Sequence, residues 1–146
     1  MFHFKNFISI LLLLLSPLLN ADETIKIIIK NSIKEIYFNA EVAEKKIDRE
    51  KGLMFRKNLN INEGMLFIFP IESKINMWMK NTLISLDIIF ISKNNKIVDI
   101  INNTKVMSKD ILTSSVKSKY ALEINAGLVQ KLDIKIGNNI YFEEIN

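Results

Sequence analysis

Short runs of β-branched and aromatic residues, each ended by a turn signal, constrain the fold of this chain more than any other feature. Between the runs stand Gly, Pro, Asn, Ser and charged residues, which favour turns and loops. Runs of this length and composition are typical of β-strands rather than helices. Eight of them predict strands, at residues 24–29, 33–43, 64–69, 74–81, 85–92, 96–102, 119–125 and 136–145.

Helical patterns are confined to two short segments. Residues 45–52 end at Gly52, a residue type that commonly ends helices, and residues 126–133 follow Asn125, a residue type that caps helix N-termini. The polar residues 103–118 predict a long loop. The sequence therefore predicts a mainly β (α+β) fold, a compact barrel-like or rolled sheet of about seven or eight short strands with two short helices.

The N-terminal segment has the plan of a secretory signal peptide. Lys5 precedes an apolar run at residues 7–19, and Ala21 offers a small residue for cleavage. The run is shorter than the ~20 apolar residues of a comfortable transmembrane helix. We predict that residues 1–21 are a signal peptide and that residues 22–146 form a single exported domain, periplasmic or secreted. The alternative is an uncleaved N-terminal membrane anchor, since the last residue of the run is larger than cleavage sites prefer.

The composition excludes several kinds of chemistry. The chain has no Cys, and its only histidine, His3, would leave with the signal peptide. We therefore expect no structural zinc, no Cys nucleophile, no His general base and no cofactor. No metal site is predicted, although calcium or magnesium bound by oxygen ligands stays open.

The charge of the chain argues against a nucleic-acid partner. Cleavage would remove one lysine and lower the net charge from +4 to +3. Such a mild charge, without a clustered basic stripe, predicts no nucleic-acid binding. We expect a monomer that meets the membrane only if the signal segment stays uncleaved.

Polar residues interrupt one of the most apolar stretches of the chain. In residues 77–87, MWMKNTLISLD, a lysine, an asparagine and an aspartate stand near the only tryptophan. Burying them without partners would cost several kcal/mol, so they are satisfied inside the fold or face a ligand. In a strand over 74–81, Trp78 and Lys80 share one face, which suits a cation–π contact. In the strand over 119–125, Glu123 lies on the more polar face.

Five ordered motifs resemble a widespread prokaryotic family of unknown function, DUF192. They are R-x-x-G-L-M-x-R from Arg49, G-M-L-F-x-F from Gly64, W-M-K-N-T from Trp78, L-D-x-x-F-I from Leu86 and Y-x-L-E-x-N-A-G from Tyr120. The resemblance covers residues 34–145 and implies a small, mainly β domain that is exported or membrane-anchored. It implies no activity. The first predicted helix departs from the family pattern, because it lacks the usual Thr-Pro start.

Seven residues form the candidate polar site. We predict that Lys80, Asn81 and Asp87 cluster beside Trp78. At least one of Arg49, Arg56 and Glu123 should join this cluster, because opposite charges should converge where they are buried. Arg49 and Arg56, seven residues apart, could clamp an anion from one helix face. Alternatively, Arg56 pairs with Asp87 or Glu123 inside the fold. The site residues are Arg49, Arg56, Trp78, Lys80, Asn81, Asp87 and Glu123.

The candidate site supports three functional hypotheses. The first is a non-enzymatic module that binds a small or anionic ligand, or another component of the cell envelope. The second is a hydrolase or lyase in which Asp87 and Glu123 form an acid–base pair, with Lys80 or Arg56 stabilising negative charge. The third is a purely structural cluster of paired charges. A cleft holding both carboxylates would favour catalysis, whereas closed ion pairs would favour structure.

Overall fold

Nine strands and two short helices make up residues 24–144, the part of the chain that the computed structural model describes. The predicted signal peptide lies outside these residues. The predicted mainly β fold with two short helices is confirmed. The elements are β1 (Thr24–Lys30), β2 (Glu35–Ala43), α1 (Lys46–Lys51), β3 (Glu63–Ser73), β4 (Asn76–Met77), β5 (Leu86–Ile91), β6 (Ile97–Ile101), β7 (Leu112–Thr113), β8 (Ser118–Asn125), α2 (Leu128–Lys131) and β9 (Asn139–Glu144).

Seven of the strands form one sheet that curls into a half-barrel. Its order is β6-β5-β8-β3-β2-β1-β9, and every neighbouring pair is antiparallel except β2 and β3. The two outermost strands meet at one end of the sheet. There the Ile97 N–H donates to the Asn138 carbonyl at 3.0 Å, and the Ile140 N–H donates to the Asn95 carbonyl at 2.8 Å. These bonds close one end of the half-barrel.

Two apolar clusters lie on opposite faces of the sheet, because side chains alternate along each strand. The inner cluster takes residues from all seven strands and from α2, including Leu122 and Ile124 of β8. The outer cluster covers the other face of β3, β5 and β8, and includes Phe67, Ile88 and Ala121. The short β4–β7 pair forms a separate two-stranded sheet, and Met77 of β4 belongs to the outer cluster.

The predicted strand over residues 74–81 is wrong in length. Only Asn76–Met77 pair with another strand. Asn81 has φ of 55°, in the left-handed region that asparagine tolerates, so the chain turns there. The Phe55 N–H donates to the Asn81 carbonyl at 2.8 Å. This bond ties the turn to the segment after α1.

Two other details of the prediction are also corrected. β3 continues through Pro70 to Ser73, because the ladder with β8 is irregular between Ile68 and Ser73 and does not need a proline N–H. Asn125 does not cap α2, since its amide donates to the Leu59 and Asn60 carbonyls. Neither helix within residues 24–144 has the length and apolarity to cross a membrane.

Candidate functional site

A pocket of about 290 Å³ opens on the outer face of the sheet, between β3, β8, α1 and the segment around β4. Its volume is close to the lower end of small-molecule sites. Three of the seven predicted site residues line it, namely Arg49, Trp78 and Glu123. The apolar lining is Leu53, Met54, Phe67, Phe69, Met77, Trp78 and Ile111, and the polar lining includes Lys46, Arg49, Glu50, Lys51, Asn76, Thr82 and Glu123.

Glu123 is a buried acid without a polar partner. Its direct neighbours across the sheet are Met65 on β3 and Ile88 on β5, both buried and apolar. The residue is 4% exposed, and no group among residues 24–144 hydrogen-bonds or ion-pairs with its carboxyl. Burial raises the pKa of Glu123 to about 8. The carboxyl is therefore neutral at pH 7, and presents one O–H donor and a free acceptor oxygen at the pocket.

Two glycines let the walls of the pocket come together. A β-carbon on Gly64 would lie 2.6 Å from the backbone oxygen of Glu123, so only glycine allows β3 and β8 to approach as they do. Gly52 ends α1 with φ of 48°, and a β-carbon there would lie 3.1 Å from Cζ of Phe67. Gly64 thus sets the distance between β3 and β8, and Gly52 sets the distance between α1 and the sheet.

Arg49 is held at the edge of the pocket by α1. Its Nη1 donates to the Ile68 carbonyl at 3.1 Å and also to the Glu44 carbonyl. The guanidinium carbon lies 5.2 Å from the centroid of the Phe69 ring. Hydrogen bonds and ring contact together fix the plane of the guanidinium group.

Arg56 does not belong to the site as predicted. α1 ends at Lys51, so Arg56 lies beyond the helix and the predicted two-arginine clamp on one helix face is wrong. The predicted pairing of Arg56 with Asp87 or Glu123 is also wrong. Its two terminal nitrogens donate to the two carboxylate oxygens of Glu41 on β2, a partly buried bidentate pair.

The predicted cation–π contact between Trp78 and Lys80 is confirmed. The Lys80 Nζ lies 5.1 Å from the centroid of the Trp78 ring, although a turn rather than a strand brings the two together. Trp78 is 38% exposed, so its ring is partly open to solvent at the pocket. Asn81 lies next in the chain and contacts Met54, with its amide nitrogen 4.0 Å from the sulfur.

Asp87 lies on the opposite face of the sheet from Glu123. In the β5–β8 register Asp87 is opposite Ile124, whereas Glu123 is opposite Ile88, so the two carboxyls point away from each other. Asp87 is completely buried. Its oxygens accept the Asn103 N–H at 2.9 Å and the Val129 N–H at 3.0 Å.

Three expectations about Asp87 are therefore wrong. It does not cluster with Lys80 and Asn81, no lysine or arginine side chain among residues 24–144 pairs with it, and it cannot act with Glu123 on one ligand. Two backbone amides satisfy its charge inside the fold. Its role is structural, since it fastens α2 and the chain after β6 to β5.

Sequence reasoning missed most of the pocket lining. Thr82 is buried, and its hydroxyl donates to the Lys80 carbonyl at 3.2 Å. Phe67, Phe69 and Met77 look like ordinary core residues in the sequence. The available signal was the alternation of β3, which places Phe67 and Phe69 on the face of Met65, the direct partner of Glu123. Residues 24–144 contain no group of three or more carboxylate or histidine side chains able to hold a metal ion.

Comparison with known proteins places this geometry in a family. The DUF192 model, described as "Uncharacterized ACR", matches residues 27–142, so the resemblance inferred from the motifs is confirmed. A UPF0127 protein of Pyrococcus furiosus is 28% identical over 109 residues, covering 73% of this chain and 89% of the relative. A UPF0127 protein of Thermococcus gammatolerans is also 28% identical, over 107 residues, with 72% and 67% covered.

Two crystal structures share the fold. One is a Sinorhizobium meliloti protein proposed to be a transcription regulator. It has a TM-score of 0.79 and 32% identity, with 82% of this chain and 93% of that chain covered. The other is a Novosphingobium aromaticivorans protein of unknown function, with a TM-score of 0.79 and 31% identity, covering 81% and 84%.

Proposed function

This chain belongs to the DUF192 family, whose matched relatives have no established activity, and we propose that it is a non-enzymatic module that binds a small ligand in the pocket beside Trp78. The ligand lies between the outer face of the sheet and α1. The phenyl rings of Phe67 and Phe69 and the indole of Trp78 supply most of its apolar contacts.

The observation that carries this proposal is the buried carboxyl of Glu123 in the pocket. Burial strips this carboxyl of much of its hydration and raises its pKa to about 8, so its position is unfavourable for stability alone. Ionisable groups with strongly perturbed pKa values in a cleft are more often functional than the average surface carboxylate. A ligand that hydrogen-bonds to the neutral carboxyl would recover this cost.

Binding is favoured over catalysis because the pocket holds a single buried acid. The predicted acid–base pair needs two carboxyls on the same ligand, and Asp87 lies on the other face of the sheet. Among the described residues of the lining, the other carboxylate is the exposed Glu50 on α1, whose carboxylate lies 3.6 Å from the Lys46 ammonium. We further propose that the domain works after export, as the N-terminal segment predicts.

Ligand retention tests the proposal. Wild-type protein, a Trp78→Ala variant and a Tyr141→Ala variant are purified in parallel, and untargeted mass spectrometry compares the small molecules they carry. Tyr141 is a matched control, because its ring also lies under a lysine, with Lys30 Nζ at 4.9 Å, but outside the pocket. We expect a compound in wild type and Tyr141→Ala that is lost from Trp78→Ala. Equal contents in all three proteins would contradict the proposal.

A further inference from the structure

The guanidinium group of Arg49 lines the pocket and uses one of its three nitrogens for hydrogen bonds to described residues of the fold. Both of its hydrogen bonds, to the Glu44 and Ile68 carbonyls, use Nη1. Nε and Nη2 donate to no group among residues 24–144. These two nitrogens carry parallel N–H bonds along one edge of the guanidinium plane, a geometry that matches the two oxygens of a carboxylate.

The pocket that Arg49 lines has a surplus of positive charge. Lys46, Arg49 and Lys51 line it, while Glu50 already lies 3.6 Å from Lys46. The carboxyl of Glu123 is neutral at pH 7, because burial raises its pKa to about 8. An anion entering the pocket therefore meets attraction at α1 and no repulsion from Glu123.

We propose that Arg49 binds the carboxylate of an amphipathic ligand whose apolar part lies along Phe67, Phe69 and Trp78. This inference rests on the proposed binding function and names the class of its ligand. A monoanion suits the site, because a single fixed guanidinium carries one charge. A phosphate monoester, with a charge near −2, would need further fixed donors, and Lys51 is exposed.

The apolar lining accounts for the rest of such a ligand. Phe69 contacts the Arg49 guanidinium and lines the same pocket, so apolar surface lies directly beside the charged group. Phe67 continues the same face of β3 toward Glu123, and Trp78 lies on the side of β4. The charged and apolar parts of the pocket are thus contiguous.

The test uses three probes that share an eight-carbon chain: octanoate, octyl phosphate and 1-octanol. Binding is followed at pH 6.5 by isothermal titration calorimetry and by the fluorescence of Trp78, the only tryptophan. The proteins are wild type, Arg49→Gln, Arg49→Lys and the control Lys45→Gln, which removes an exposed charge beside the same helix from a residue that does not line the pocket. Circular dichroism confirms that each variant is folded.

We expect wild type to prefer octanoate over both other probes. Arg49→Gln should weaken octanoate binding by about tenfold or more and leave 1-octanol binding unchanged, because hydrogen bonds to a charged group are lost. Arg49→Lys should recover only part of the affinity, since an ammonium lacks the planar edge. Lys45→Gln should change octanoate binding far less than Arg49→Gln.

The comparison within wild type does not depend on any variant folding. Equal affinity for octanoate and 1-octanol would overturn the carboxylate assignment while leaving a binding pocket in place. Tighter binding of octyl phosphate would also overturn it. If none of the three probes binds, the carboxylate assignment fails, and the ligand-retention comparison of Trp78→Ala with Tyr141→Ala decides separately whether the pocket binds any ligand.

Discussion

At the scale of single residues, the protein buries two acids in opposite ways. Asp87 accepts two backbone N–H groups, at 2.9 and 3.0 Å. Glu123 has no polar partner among residues 24–144 and lies between apolar neighbours. Backbone hydrogen bonds satisfy the Asp87 carboxyl inside the fold, whereas burial raises the pKa of Glu123. The two residues should therefore respond differently to substitution.

Replacing Glu123 should change how stability depends on pH. Its pKa rises from an ordinary value of 4.5 in the unfolded chain to about 8 in the fold, so folding takes up a proton between these pH values. The free energy of unfolding then falls with rising pH in this window, by up to ~1.4 kcal/mol per pH unit. Glu123→Gln lacks this titration, so its stability relative to wild type should increase from pH 4.5 to about 8 and then level off.

Urea unfolding of both proteins between pH 4.5 and 9 measures the difference directly, because other titrating groups cancel. A difference that stays constant over the whole range would show that Glu123 is ionised in the folded protein at neutral pH.

Replacing Asp87 by asparagine should cost stability at a fixed pH. The amide nitrogen would face one of the two backbone N–H groups that now donate to the carboxylate, so we expect a loss of ~2–3 kcal/mol. Asp99→Asn is the matched control. Asp99 also accepts two backbone N–H groups, from Ile100 and Ser115, but it is half-buried, so water can replace a lost partner. Urea unfolding giving equal losses for both variants would contradict the structural role of Asp87.

At the scale of elements, α1 is the least anchored part of the site. It has six residues, none of them buried, and Lys45 at its N-cap makes no side-chain hydrogen bond. The backbone of Lys45 is already extended, with φ of −70° and ψ of 150°, as N-cap residues require. Lys45→Thr would supply a hydroxyl that can accept a hydrogen bond from the first turn of α1. Threonine is also the residue that the family resemblance gives as usual at the start of this helix.

We expect Lys45→Thr to stabilise α1 by about 1 kcal/mol. The amides of Arg49 and Gly52, which donate to the Lys45 and Asp48 carbonyls, should then exchange with solvent about fivefold more slowly. Lys45→Ala removes the same lysine without adding a cap, and should leave their exchange rates unchanged. Equal slowing in both variants would mean that removing the lysine charge, rather than capping, is responsible.

The elements also show what the sequence could and could not predict. Strand existence was predictable, because β5 and β8 are apolar enough to be buried wherever they pair. The pairing register was not predictable. The alternation of apolar and polar residues within 85–92 or 119–125 does not reveal which residues of the two strands lie opposite each other. A shift by one residue decides whether Asp87 and Glu123 share a face. Likewise, the turn at Asn81 accompanies a tertiary hydrogen bond from the Phe55 N–H, a contact that the local sequence does not reveal.

At the scale of the whole molecule, the predicted export has a direct test. The basic start, the apolar run and the small residue at Ala21 predict cleavage before Asp22. N-terminal sequencing of protein from the cell-envelope fraction should begin at Asp22. An intact Met1 on protein in the membrane pellet would instead show an anchored form.

Successive side chains of β8 point alternately into the inner and the outer cluster. The pocket side of this strand can therefore be varied by directed evolution separately from its inner side. Leu122 and Ile124 belong to the inner cluster, whereas Ala121 and Glu123 face outward. A library randomised at Glu123, Phe67 and Phe69 would vary the pocket while leaving the side chains of the inner cluster unchanged. New ligand specificities could then be selected on this scaffold with the inner half of its core intact.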